Sequence, residues 1–224
     1  MGSHSRTRRH GRTSTQDVAF FDVHGHTRVP QLVQWMVTLR CPLACPHCLA
    51  AGESGRELGL SEAGTLVEQV AEMGVHEFLL TGGEPLARGD LSAIVGLLRA
   101  NGVRWSLNTA AMPGARLRKA MEEWPPSFVA VSLDGPPDVH DRFRGREGAF
   151  DDAMASVAYF ADLAEDGVAA GTTVTQANIR SLPETFGIVL ESGATSWGLH
   201  LIVPEGRAAE RPDLLLSRRQ LKHL

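Results

Sequence analysis

The stretch EFLLTGGEPLARGDLSAIVGLLRANG, from Glu77 to Gly102, holds one complete structural unit. A short apolar run, Glu77–Leu80, gives way to a Gly-Gly-Glu-Pro turn and then to a segment with helical periodicity, Leu91–Asn101. In that segment Leu91, Ile94, Val95, Leu97 and Leu98 share one face, as a helix packed on a sheet requires. Asp90 precedes it at the place of an N-cap, and Gly102 follows it where a left-handed C-terminal cap is wanted.

The same unit repeats along the chain. Strand-like runs occur at Leu32–Leu39, Glu77–Leu80, Val103–Leu107, Phe128–Leu133, Ala169–Val174 and Trp197–Val203. Helical segments separate them at Leu60–Met73, Leu91–Asn101, Ala115–Glu123, Phe150–Asp166 and Leu182–Ser192, and a further one, Ser217–Leu224, runs to the last residue. Ser61 is placed as the N-cap of the first, and Gly74, Gly167 and Gly193, like Gly102, follow helices. Strand–helix alternation with short connections predicts an α/β fold with a parallel sheet and right-handed crossovers. Unusual polar and glycine residues follow all six strands: Cys41, Thr81–Pro85, Asn108 and Thr109, Ser132 and Asp134, Thr175–Asn178, and Pro204–Arg207. An open doubly wound sheet concentrates its site at one switch point, whereas a barrel spreads it over the C-terminal ends of its strands. A curved, partial (β/α)6 barrel is therefore expected.

Length and composition fit one soluble domain of 224 residues. Residues 1–17, dotted with arginines and lacking apolar residues to pack, read as a disordered polar tail, and 18–224 as the core domain. Val18–Val23 reads as a strand or edge segment. A net charge of −4 argues against a nucleic-acid partner. No apolar run approaches the ~20 residues of a membrane span, and the polar stretch Met1–Gln16 holds no apolar signal-peptide core, so a cytoplasmic location is expected.

All three cysteines fall in Cys41-Pro-Leu-Ala-Cys45-Pro-His-Cys48, a C-x-x-x-C-x-x-C spacing. An odd, tightly grouped set in a reducing compartment excludes a disulfide scaffold and points to a metal centre. Thiolates are the preferred ligands of iron–sulfur clusters, and three of them leave one iron of a 4Fe–4S cluster without a protein ligand. Structural zinc is the other reading, with His24 or His26 as the remaining ligand, but no distant C-x-x-C or H-x-x-x-H partner is present.

The cysteine loop, the Thr81–Pro85 turn and the six-fold alternation together resemble the radical S-adenosylmethionine superfamily over roughly Leu32 to Arg207. The resemblance implies that Cys41, Cys45 and Cys48 bind a 4Fe–4S cluster whose fourth iron is chelated by S-adenosylmethionine. Reduction then yields a 5′-deoxyadenosyl radical that abstracts hydrogen from substrate. It implies contact of Gly82, Gly83 and Glu84 with the methionine amino group, and of Ser132 and Asp134 with the ribose or the cofactor carboxylate. Thr173, Gln176 and Asn178 would lie near the cofactor, and His47 against adenine. Asp134 is equally suited to a turn before Gly135-Pro136.

SLDGPPDVHDRFRG (Ser132–Gly145) and LIVPEGRA (Leu201–Ala208) resemble the branch that carries SPASM or twitch domains and matures peptides or cofactors. A peptide or small-molecule cofactor precursor is the implied substrate, with flavodoxin or ferredoxin as electron donor. Members of that branch have further cysteines, whereas none follows Cys48. The expectation is a core truncated before an auxiliary-cluster domain. A non-catalytic iron–sulfur or S-adenosylmethionine-binding module, for electron transfer or regulation, is the alternative; the missing fourth cysteine and the Thr81–Pro85 turn argue against it.

Overall fold

A computed structural model describes residues 29–51, 55–222 and 224. The expectations for residues 1–17, Val18–Val23, His24 and His26 lie outside the described residues. Six strands, β1 (Leu32–Thr38), β2 (Glu77–Gly82), β3 (Trp105–Thr109), β4 (Phe128–Ser132), β5 (Val168–Val174) and β6 (Ser196–Leu201), form one sheet. They stand in the order β1-β2-β3-β4-β5-β6, and every neighbouring pair is parallel. With right-handed crossovers, an order that never reverses keeps every helix on the same face of the sheet. A doubly wound sheet reverses its order at a switch point, so the barrel-like alternative holds. Among the described residues β1 and β6 each pair on one side only, which leaves the barrel open between them.

Period-two alternation sets the two faces of the sheet. Phe78 and Leu80 of β2, Trp105 and Leu107 of β3, Val129 and Val131 of β4, and Val168 and Ala170 of β5 are buried in one cluster. That cluster is completed by α1 (Leu60–Met73), α2 (Leu91–Ala100), α3 (Ala115–Glu123), α5 (Ala149–Leu163) and α6 (Leu182–Glu191), through residues such as Val67, Ile94, Met121, Phe160 and Val189. The intervening positions near the strand ends are small or polar: Thr81, Asn108, Ser132, Thr173 and His200. Large apolar side chains thus hold the helices on, while small polar ones leave the inside of the curve hollow.

Gly74, Gly102, Gly167 and Gly193 all adopt positive φ, between 63° and 96°, as their positions after helices require. Two caps differ from expectation. The first helix starts at Leu60 with Gly59 as its N-cap, and the Glu62 carboxylate accepts the Gly59 N–H at 2.9 Å, so Ser61 lies inside the first turn. Asp90 stands at the N-cap of α2, but Arg88 draws its carboxylate into an ion pair at 2.6 Å instead. A helix that the periodicity did not mark, α4 (Pro137–Arg144), follows β4. Pro137 suits its first position, but Val139 and Phe143 are its only large apolar residues, too few to register as a stripe. The terminal helix α7 covers only Arg218–Leu221, capped by Ser217 through Gln220. No described helix is long and apolar enough to cross a membrane.

Phe160 lies wholly inside the helix–sheet layer, whereas Leu190 on α6 is 68% exposed. Phe160→Ala is expected to lower the unfolding free energy by about 3–5 kcal/mol, and Leu190→Ala by no more than about 0.5 kcal/mol. Urea denaturation of the two variants checks this; equal losses would place the Leu190 side chain in the core.

Candidate active site

A cavity of about 520 Å3 opens where the six strands end. Every strand, or the loop after it, supplies part of its wall: Gln34 and Met36, Thr81–Glu84, Asn108–Ala110, Ser132, Thr173, and His200–Val203. Cys41, Cys45, His47 and Cys48 line it from the loop after β1. Of the residues singled out by sequence, the structure brings together the three cysteines, His47, Gly82, Gly83, Glu84, Ser132 and Thr173.

The cysteine loop begins against the turn after β2. The Gly83 amide donates to the Thr38 carbonyl at 2.7 Å, and the Glu84 amide to that of Arg40 at 2.9 Å. This approach is too close for side chains. A Cβ on Gly82, whose φ is 147°, would overlap the Thr38 oxygen, and one on Gly83 would sit 2.7 Å from the Leu39 oxygen. Both glycines are accounted for by this contact. Glu84 ties the same turn to the next one: it accepts from the Leu86 amide (3.0 Å), the Thr109 hydroxyl (2.6 Å) and the Ala110 amide (2.8 Å). Its carboxyl is 2% exposed, and burial pushes its pKa up while these donors pull it down.

A second anchor comes from α4. The Ala44 amide donates to the Arg144 carbonyl at 3.0 Å, and the Arg144 Nη1 lies 3.6 Å from the Cys45 Sγ. Arg144 also forms an ion pair with Asp134, and both side chains are buried. Burial raises the Cys45 thiol pKa, and the Arg144 charge and hydrogen bond oppose that rise, which favours the thiolate a metal requires. The Cys41 thiol is likewise raised by burial. His47 stacks on Phe143 at 4.4 Å with the planes 8° apart, so one ring face is taken by α4 rather than left for a ligand.

Asp134, Gln176 and Asn178 are not among the lining residues. Asp134 Oδ1 accepts the Thr173 amide at 2.8 Å, and its own amide donates to His140 Nδ1 at 3.0 Å. Asn178 donates to the carbonyls of Asp134 and Thr173, both at 2.9 Å, and accepts the Thr175 amide at 2.8 Å. These two side chains stitch β4 to β5 behind the wall that Ser132 and Thr173 present. Gln176 turns toward α7, accepting from Gln220 at 3.4 Å. Sequence reasoning missed Arg144 altogether. Its only signal was that His140, Phe143 and Arg144 stand at i, i+3 and i+4, one buried face on which two residues are polar.

No group of three or more His, Cys, Asp or Glu side chains that could hold a metal ion occurs among the described residues. Three thiolates that each take a different iron of a cluster stand farther apart than ligands converging on one zinc ion. The donors present, three unpaired cysteines on a single cavity with Arg144 beside one of them, fit a 4Fe–4S cluster.

Two predictions test this construction. Glu84→Gln places an amide donor where the carboxylate accepts from three, so the protein is expected to lose about 1–3 kcal/mol of stability by denaturant titration; unchanged stability would remove the tie. His47 and His140 are both held neutral, their pKa values pushed down to about 4, by burial first and the Arg144 charge second. An unfolded chain binds these protons near pH 6.5, so the stability associated with the neutral rings is present above that pH. It is lost as pH falls toward 4, on the order of 3 kcal/mol for each ring. His140→Asn keeps an acceptor for the Asp134 amide and should flatten the loss between pH 7 and 5; a slope equal to the parent's would refute the neutral ring.

The model of the Radical SAM superfamily matches residues 35–186. Over 194 residues the chain is 32% identical to the AdoMet-dependent heme synthase of Nitratidesulfovibrio vulgaris, covering 84% of this chain and 52% of that protein. Over 187 residues it is 29% identical to the mycofactocin maturase MftC of Mycolicibacterium smegmatis, covering 81% and 47%. The chain thus spans about half the length of these curated relatives. The crystal structure of Streptococcus suis SuiB bound to S-adenosylmethionine superposes with a TM-score of 0.70 at 14% identity, over 87% of this chain and 47% of that one. The parallel order of the six strands, the cysteine-lined cavity at their ends and the match to the family over most of the described chain lead to one assignment: the protein belongs to the radical SAM superfamily, whose cofactors are a 4Fe–4S cluster and S-adenosylmethionine.

Proposed function

We propose that this chain is the catalytic core of a radical SAM enzyme that abstracts hydrogen from a cofactor precursor or a peptide. The observation that carries the reading is the convergence of Cys41, Cys45 and Cys48 on the one cavity to which all six strand ends contribute. When bound, the cluster and S-adenosylmethionine supply one-electron reductive cleavage and a hydrogen-abstracting 5′-deoxyadenosyl radical. The three cysteines hold the cluster. Backbone groups of Gly82 and Gly83 meet the methionine end of the cofactor, and the Ser132 and Thr173 hydroxyls, on adjacent strands, meet its sugar. Asp134 and Asn178 act behind these two by holding β4 and β5 in register. His47, stacked on Phe143 and lining the cavity, would meet the adenine of the cofactor. A flavodoxin- or ferredoxin-type donor supplies the electron.

Among substrates, a haem-type precursor is the first to try, because the relatives named heme synthases match at higher identity than MftC. Peptides come second, supported by that maturase and by the fold likeness to SuiB.

Anaerobic reconstitution with iron and sulfide, then dithionite and S-adenosylmethionine, should yield 5′-deoxyadenosine by chromatography. Cys41→Ala, Cys45→Ala and Cys48→Ala should each abolish both the cluster's visible absorbance and this product. A cluster in the parent without cleavage would favour a binding module, and full cleavage by any of the three variants would overturn the ligand set.

A further inference from the structure

A third anchor of the cysteine loop comes from the opposite end of the barrel. After β6 the chain turns at Val203–Glu205, where the Glu205 amide donates to the Val203 carbonyl at 2.9 Å, and enters a 3-10 turn, Gly206–Glu210. The Arg207 amide donates to the Cys48 carbonyl at 3.0 Å, and its Nη1 to the Cys45 carbonyl at 3.1 Å. One residue therefore grips the backbone of two of the three cysteines. Gly206 makes the approach possible: its φ is 55°, and a Cβ there would overlap the Cys48 oxygen and stand 2.6 Å from that of Leu49. Ala208 within the turn is buried, and its amide donates to the Glu205 carbonyl at 3.1 Å. The same Cys45 carbonyl accepts the Cys48 amide at 3.3 Å, so the grip also bears on the bend of the loop itself.

β6 has little else to hold this end in place. Among the described residues it pairs with β5 alone, and Leu199 and Leu201 remain about half exposed. The loop, for its part, has no regular structure between Leu39 and Cys48. We propose that Gly206 and Arg207 form a latch that sets the spacing of Cys45 and Cys48, with Arg207 as a positioning residue for cluster retention. The latch spans the open edge of the barrel, so the lip of β6 and the cysteine loop are fixed together. The consequence for the cluster rests on the ligand assignment above; the latch itself does not.

The test uses the full chain with Arg207→Ala, Arg207→Lys and Gly206→Ala. In the apo protein, hydrogen exchange at residues 44–49 should rise about fivefold in Arg207→Ala, the scale of one lost charge-assisted hydrogen bond at a partly exposed site. Its melting temperature should stay at the parent value, because the latch lies outside the helix–sheet core. In anaerobically reconstituted protein, loss of visible absorbance to a chelator, without S-adenosylmethionine, should quicken by a similar factor. Arg207→Lys, which keeps one donor and the backbone amide, should fall between; it also decides the matter should the alanine variant not fold. Gly206→Ala should behave at least as severely as Arg207→Ala. Parent-like exchange and chelator loss in Arg207→Ala, or equal behaviour of the lysine and alanine variants, would overturn the latch. A parent that takes up no cluster would sink the ligand assignment, and the exchange measurement on apo protein would still decide the latch.

Discussion

The site depends first on a contact between two pieces of backbone. Where β1 ends, the carbonyls of Thr38 and Arg40 accept the amides of Gly83 and Glu84, at a distance that no side chain at 82 or 83 would permit. This contact converts the end of a strand into the root of the cysteine loop. A cluster ligand must be delivered within a few tenths of an ångström, and a loop without strand or helix can be delivered so only from a fixed root. Glu84 extends the fixation to β3 through Thr109 and Ala110, so the first three strands share one rim.

Electrostatics completes the arrangement deeper in. Arg144 is buried between Asp134 and Cys45, a placement that is costly unless each charge finds its partner. Asp134 satisfies Arg144 on one oxygen and the Thr173 amide on the other, and the paired cation then faces the thiol that burial alone would keep protonated. The ion pair offsets the burial of two charges, and it leaves a fixed positive group beside the Cys45 sulfur. Asn178 belongs to this structure rather than to the cavity, bridging the carbonyls of Asp134 and Thr173.

Most of the fold was legible in the sequence because the core obeys simple periodicity. Leu60–Met73 and Ala115–Glu123 form helices at those bounds, and strands appear within a few residues of each apolar run. The positive φ of Gly74, Gly102, Gly167 and Gly193 was readable for a steric reason that does not depend on tertiary context. That the three cysteines would share one cavity was also readable, since their spacing is local. What escaped was everything decided by contacts between distant segments. Helix α4 was invisible because its buried face carries His140 and Arg144, polar groups whose partners lie just after β4 and in the cysteine loop. Asp134 and Asn178 looked like ligand-facing groups at strand ends, but buried backbone amides and carbonyls claim them first. The capping role expected of Asp90 was lost to Arg88, two residues away, whose guanidinium also reaches the Val37 carbonyl at 2.6 Å.

The spacing of the three cysteines does not by itself set the shape of their loop. Eight residues with three cysteines have no preferred geometry of their own. The observed one is imposed from residues 82–84, from 144 and 145, and from 206 and 207. Those anchors stand after β2, β4 and β6, so they reach the loop only when the whole sheet has paired and curved. The anchoring contacts fall on glycines and on backbone carbonyls because a loop gripped from three sides offers mainly its peptide groups to be held.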